Sequence, residues 1–296
     1  MDQVGGNGKF QKFIFIIYCC STSSTGYVIY NLSYLELMPQ FTCNYVGQTS
    51  TFTCKEADFC GNSSIEYVIT PSPTTLYNWV EKLGLICRPE WQVGLLGSSL
   101  FMGMCCTLLW LPSFGDKYGR RKIFWIGNIL ALIFFTVIMI SKSFWLTVSM
   151  IFLIGALESI RLSIGYNYCM ELFGAPYRTF YGMIWNVNEG LVYLWATIYF
   201  WQIDKHWFPL VTFGYLLAVS SNILIYFFPE SPMYLIKKGL YSEAKKNLEY
   251  IAKINGRKYT FDEKYFTSLD RSTFKEFAPQ LGSLLSDNSL HIDELR

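Results

Sequence analysis

The stretch Pro112-Ser113-Phe114-Gly115-Asp116-Lys117-Tyr118-Gly119-Arg120-Arg121-Lys122 constrains this chain more than any other. It lies between two apolar runs, Trp91–Leu111 and Ile123–Ile140, each near the roughly 20 residues that cross a bilayer as a helix. The connection must therefore be short. Its cations Lys117, Arg120, Arg121 and Lys122 are costly to translocate, so the positive-inside bias puts the turn in the cytoplasm. Alternation then fixes every other loop. Composition agrees: 52% of residues are hydrophobic and only 16% charged, too apolar for an ordinary soluble domain and expected of a multi-pass membrane protein. The net charge of +2 gives no support to a nucleic-acid partner.

Residues 1–12, which carry Lys9 and Lys12, read as a cytoplasmic N-terminus. Phe13–Met38 reads as the first span. Its polar middle, Ser21 to Gly26, resembles the cleavage region of a secretory signal, but the apolar pattern resumes at Tyr27. A long span whose hydroxyls face neighbouring helices fits better, with Pro39 ending it. Residues 40–88 are polar and extracellular by alternation. They hold Cys43, Cys54, Cys60 and Cys87 and the glycosylation sequon Asn62-Ser63-Ser64. Two disulfides are expected with all three pairings open, against a competing reading of free thiols in a disordered loop.

The second span is Trp91–Leu111, the third Ile123–Ile140, and the fourth runs from Phe144 to about Met170. Within the fourth, Glu158 and Arg161 share one helical face. They read either as a functional pair turned to a cavity or as a mutually neutralising structural pair. Pro176 in the following connection prevents one continuous helix. The fifth span, Phe180–Trp201, clusters Asn186, Asn188, Glu189 and Gly190 as if facing a cavity, and the sixth is Trp207–Phe228, with Trp201 and Trp207 as interface anchors. After Pro229-Glu230-Ser231-Pro232 the cations return. Ser242–Ile254 reads as an amphipathic helix that lies on lipid headgroups or packs under the spans. The expectation is an all-α membrane protein: a six-helix bundle over 13–228, a cytoplasmic helical segment over 229–296 with no further crossing in 259–296, and both termini cytoplasmic.

Nothing in the sequence builds an enzyme. His206 and His291 sit in different loops, so no catalytic or metal-binding histidine cluster is expected, and no cofactor. Gly94, Gly97 and Gly103 lack the strand and lysine of a phosphate loop, and read as small faces for close helix contact.

The run Asp116-Lys117-Tyr118-Gly119-Arg120-Arg121-Lys122 resembles the loop signature of the major facilitator superfamily, G-x-x-x-D-R/K-x-G-R-R-K/R, with Pro112 replacing the leading glycine. The resemblance implies that Asp116 caps or pairs with a helix end of an opposite half. It implies too that Arg120, beside Gly119 and Arg121, pairs with Glu171. Glu171 and Arg178 resemble the loop after the superfamily's fourth span. Pro229-Glu230-Ser231-Pro232-Met233-Tyr234-Leu235 and the following helix resemble the PESPRWL segment of organic ion transporters. Sugar porters share that PESP piece, but the long cysteine-bearing loop favours the organic cation, anion and carnitine branch.

The resemblance covers about residues 27–256. It implies twelve spans in two halves, with substrate near the midplane. Only the first half is written here, so a second half or a second copy is an expected partner, alongside the bilayer. A small organic ion or solute would move by alternating access, in the plasma membrane. Its path would be lined by Tyr27, Tyr30, Glu158, Arg161, Tyr166, Trp185, Asn188 and Glu189, whose aromatic faces attract cations. Each of those aromatics also reads as plain helix packing. Competing readings are a non-transporting structural subunit, a sugar-porter-like carrier, and a receptor built on residues 40–88.

Overall fold

The computed structural model describes residues 1, 4–47, 50–72 and 74–258. The chain is mostly helical. Its long helices are α1 (Lys9–Ile29), α2 (Glu90–Leu108), α3 (Arg120–Ile140), α4 (Phe144–Ser159, continued to Glu171), α5 (Ala175–Ile198) and α6 (Trp207–Tyr226), followed by α7 (Pro232–Lys237) and α8 (Tyr241–Ile254). Among the described residues, five segments are long and apolar enough to cross a membrane: Lys9–Leu35, Glu90–Leu108, Arg120–Ile140, Phe144–Glu171 and Trp207–Tyr226. Helix α5 has comparable length but is not among them; it carries Arg178, Asn186, Asn188 and Glu189.

The first span begins earlier than the sequence suggests. Gly8 occupies the N-cap, and Gln11 Oε1 accepts from the Gly8 N–H at 3.1 Å, so the helix starts at Lys9 rather than Phe13. It also ends earlier, at Ile29, and Leu32–Leu35 adds one further turn before Pro39. Ser21 to Thr25 are all buried, and their hydroxyls find partners. Thr22 and Ser24 donate to the carbonyls of Cys19 and Ser21, which satisfies polar groups that hydrocarbon cannot.

Helices α2 and α4 touch backbone to backbone. A Cβ at Gly103 would lie 2.0 Å from the Phe152 carbonyl oxygen, and one at Gly155 2.0 Å from that of Leu100; only glycine permits this approach. Gly94 and Gly97, expected to do the same, face open space, so the close contact uses Gly103 alone of the three. Helix α4 loosens into a π turn at Ile160–Gly165, a geometry frequent at functional positions.

Opposite the basic turn, the chain departs from an all-helical fold. Three antiparallel strands, β1 (Phe41–Tyr45), β2 (Thr51–Cys54) and β3 (Ile65–Ile69), form a sheet in the order β2-β1-β3. Cys43–Cys54 staples β1 to β2, and Cys60–Cys87 ties the short helix after β2 to the entry of α2. That settles the pairing and removes the free-thiol reading. The loop is seated by Trp79, Val80 and Leu85, which pack with Leu35, Ile138 and Val211 in one core. Lys82 Nζ donates to the Ile138 carbonyl at 2.5 Å and lies 4.6 Å from the Trp207 ring centre. Burial nonetheless pushes this ammonium down to about 8.

At the basic-turn end, α8 turns Leu248, Ile251 and Ala252 into a core that includes Val4, Phe10 and Phe228. That face of α8 packs on the bundle. The expectation for residues 259–296 lies outside the described residues.

Candidate functional site

Three clusters gather the residues singled out in the sequence. The first joins five helix ends at the basic turn. Gly119 ends a short helix with φ +107°, a conformation that penalises any Cβ, and a Cβ there would sit 2.7 Å from Glu230 Oε2. The space is needed because Glu230 Oε1 accepts from the N–H groups of Arg120 and Arg121 at 3.1 and 2.9 Å, capping α3 with a negative charge where its dipole favours one. Arg121 reciprocates: its Nη1 donates to the carbonyls of Phe228 (2.6 Å) and Tyr226 (3.2 Å) at the end of α6. Arg120 pairs with Glu171 and, at 3.0 Å, with the largely exposed Asp116. Ser231 Oγ donates to the other Glu171 oxygen at 2.6 Å. Arg178 stands slightly apart, donating to the Phe173 carbonyl. With Arg120, Glu171, Tyr166 and Asn186 it lines an open cavity of about 610 Å³.

The second cluster is buried between α1, α3 and α4. Arg161 and Glu158 are 2% and 6% exposed and pair at 3.2 Å. Arg161 also donates to Asn128 Oδ1 (2.7 Å) and Thr25 Oγ1 (2.5 Å), while Thr25 donates to Glu158 Oε2 (3.1 Å) and Ser21 to Asn128 Oδ1 (3.0 Å). Neither Glu158 nor Arg161 lines the cavity beside the basic turn or the one beside α1 and α5. The sequence reading missed Asn128, Thr25 and Ser21 as the pair's partners. A lone amide in the apolar run Ile123–Ile140 was the available signal.

The third cluster lies where α5 meets α1. Tyr30 donates to Glu189 Oε2 at 3.0 Å, whereas Glu189 Oε1 is shielded from solvent without a hydrogen-bond partner among the described residues. Asn188 donates to Ser23 Oγ (2.8 Å) and Trp185 to Thr22 Oγ1 (3.3 Å), with the Tyr166 ring tilted against that of Trp185 at 5.4 Å between centres. A mostly apolar cavity of about 570 Å³ runs alongside, lined by Phe15, Cys20, Tyr27, Asn188, Trp195 and Phe213. Of the eight path residues, Tyr27 and Asn188 line this cavity and Tyr166 lines the other. Just past the first span, Glu36 has one oxygen buried without a hydrogen-bond partner among the described residues, and burial pushes its carboxyl up to about 7. Among the described residues no group of acids, histidines and cysteines is placed to hold a metal ion.

Residues 13–290 match the model of the sugar (and other) transporter family. The chain belongs to that family. Its relatives include organic cation transporter 1 of Caenorhabditis elegans, 23% identical over 291 residues, covering 87% of this chain and 49% of that protein. Solute carrier family 22 member 1 of Bos taurus is 23% identical over 340 residues, covering 98% and 59%. Solute carrier family 22 member 2 of Rattus norvegicus is 27% identical over 183 residues, covering 60% and 32%. This transporter-family chain, an integral membrane protein of the major facilitator type, spans about half the length of the first of these relatives. Its family is one of transporters, not enzymes.

Proposed function

We propose that this chain forms a lobe of an alternating-access carrier for small organic cations, with Glu189 as the carboxylate that meets the substrate. The observation that carries the reading is an imbalance of charge. Arg161 is paired with Glu158 and donates to Asn128 and Thr25, which leaves Glu189, half-buried, held by Tyr30 and with one oxygen unpartnered among the described residues, as the charge without a counter-ion where α5 meets α1. A carboxylate in a low-dielectric wall favours a cation, and rings such as Tyr27 and Tyr30 add about 0.5–2 kcal/mol each through cation–π contact. The names of the relatives agree in class.

In this reading α5 is the sixth crossing, tolerated despite its polar residues because they face a cavity. The basic turn and both ends lie in the cytoplasm, the sheet with a glycan on Asn62 lies outside, and the membrane is the plasma membrane. Residues 13–228 are then the bundle and 229–296 a cytoplasmic segment. The Arg120–Glu171–Glu230 cluster with Asp116, Arg121 and Arg178 is the hinge that rocking must strain. A second half or a second copy supplies the opposite wall; no cofactor and no nucleic acid is involved.

Equilibrium binding of radiolabelled tetraethylammonium to the purified full chain tests this. Saturable binding, displaced by tetrabutylammonium but not by p-aminohippurate and weakened at least tenfold by Glu189→Gln, is expected. Preference for the anion, or an unchanged affinity in the variant, overturns it.

A further inference from the structure

Asn255, the C-cap of α8, spends its whole side chain on the start of the chain. Its Oδ1 accepts from the Phe10 N–H at 3.0 Å, and its Nδ2 donates to the carbonyls of Val4 (2.9 Å) and Gly5 (3.2 Å) and to Gln11 Oε1 (2.9 Å). Gly8 is glycine for this reason: a Cβ there would fall 2.2 Å from the Asn255 amide. A Cβ at Gly5 would lie in ordinary contact with Arg257, 3.5 Å from its Cγ, and the Phe10 ring meets Tyr250 edge-on at 6.3 Å. The first turn of α1 and the last turn of α8, some 245 residues apart in sequence, are thus clasped into one edge.

What that edge exposes is distinctive. Lys9, Lys12, Lys253 and Arg257 are all exposed, and none has an ion-pair partner among the described residues. The one acid nearby on α8 is Glu249. Directly beside the cations stand exposed apolar groups, Phe13 (51%), Ile16 (58%), Tyr250 (48%) and Ile254 (40%). Cations bordering aromatic and aliphatic side chains match the boundary between headgroups and hydrocarbon.

We propose that this clasped edge is a binding site for an anionic phospholipid of the inner leaflet, with polyphosphoinositide-type headgroups held by Lys9, Lys12, Lys253 and Arg257 and the acyl chains lying against Phe13 and Ile16. Each basic residue near an anionic surface adds materially to such binding, and neither helix end carries enough of them alone. Asn255 acts as a positioning residue that brings the two half-sites together. The inner-leaflet assignment rests on the threading proposed above.

Native mass spectrometry of the detergent-purified full chain, titrated with dioctanoyl phosphatidylinositol 4,5-bisphosphate, tests the site. Retention over dioctanoyl phosphatidylcholine is expected. Lys9→Gln/Lys12→Gln and Lys253→Gln/Arg257→Gln should each weaken it roughly tenfold or more, and Lys55→Gln/Lys142→Gln, which removes equal charge elsewhere, should leave it unchanged. Equal retention by wild type and both clasp variants overturns the proposal, as does inositol trisphosphate binding as tightly as the lipid. Detergent exposes both ends of the protein, so this result is independent of which way the chain threads the membrane.

Discussion

The Glu158–Arg161 pair and the Arg120–Glu171 pair are both acid–base contacts, but they live in different solvents. Glu158 and Arg161 are buried, and side chains from α1 and α3 add further hydrogen bonds: Thr25 donates to Glu158, and Asn128 and Thr25 accept from Arg161. Arg120 and Glu171 share their charges with Asp116, whose side chain is 72% exposed, and with the hydroxyl of Ser231. The ion pair there is one part of a set of helix caps, in which Glu230 and Arg121 bind backbone groups of α3 and α6. Side-chain pairing at depth therefore holds helices together where water cannot stand in. At the basic turn, capping fixes where helices begin and end, and water covers part of any loss.

The largest effect should come from opening the buried pair. Arg161→Leu leaves Glu158 uncompensated and should cost about 3–5 kcal/mol, whereas Glu158→Leu/Arg161→Leu should recover most of that, read as thermal unfolding of the detergent-solubilised protein. A double variant as unstable as the single one would mean that Asn128 and Thr25, not the charges, hold the cluster. Gly119→Ala should cost about 1–3 kcal/mol through its positive φ and its contact with Glu230, while Gly97→Ala in open helical space should be neutral or slightly stabilising. Equal effects would erase the contrast between cap and open surface. The smallest effect is a pH dependence from Glu36. Its folded carboxyl titrates near 7 against an ordinary 4.5, so the protonated form is favoured by folding. That contribution is complete below pH 4.5, is lost as pH rises through 7, and is flat above. Glu36→Gln should remove this slope from a melting profile, and a profile unchanged by the substitution would assign it elsewhere.

Much of this arrangement was legible in the sequence because its punctuation is local. The Gly119-Arg120-Arg121 turn and the Pro229–Pro232 stop mark helix ends whatever surrounds them, and the spacing of Leu248 and Ile251 betrays the buried face of α8. What escaped depended on distant partners. The start of α1 is set by Gly8 and Gln11 in contact with Asn255, a residue at the far end of the described chain. The sheet escaped because its strands are only four or five residues long and mix exposed with buried positions. Cysteine pairing follows from that sheet: β1 and β2 bring Cys43 beside Cys54, which spacing alone does not dictate. Gly94 and Gly97 show the converse, since a small residue permits close contact without requiring a neighbour.

Glycan mapping tests the threading most directly, because asparagine-linked sugars are added only on the luminal side. The account predicts that the chain expressed in animal cells loses apparent mass on treatment with peptide N-glycosidase, that Asn62→Gln abolishes the loss, and that a sequon engineered into the Lys117–Lys122 turn stays bare. A glycan on that engineered turn, with Asn62 unmodified, would invert the molecule and contradict the account.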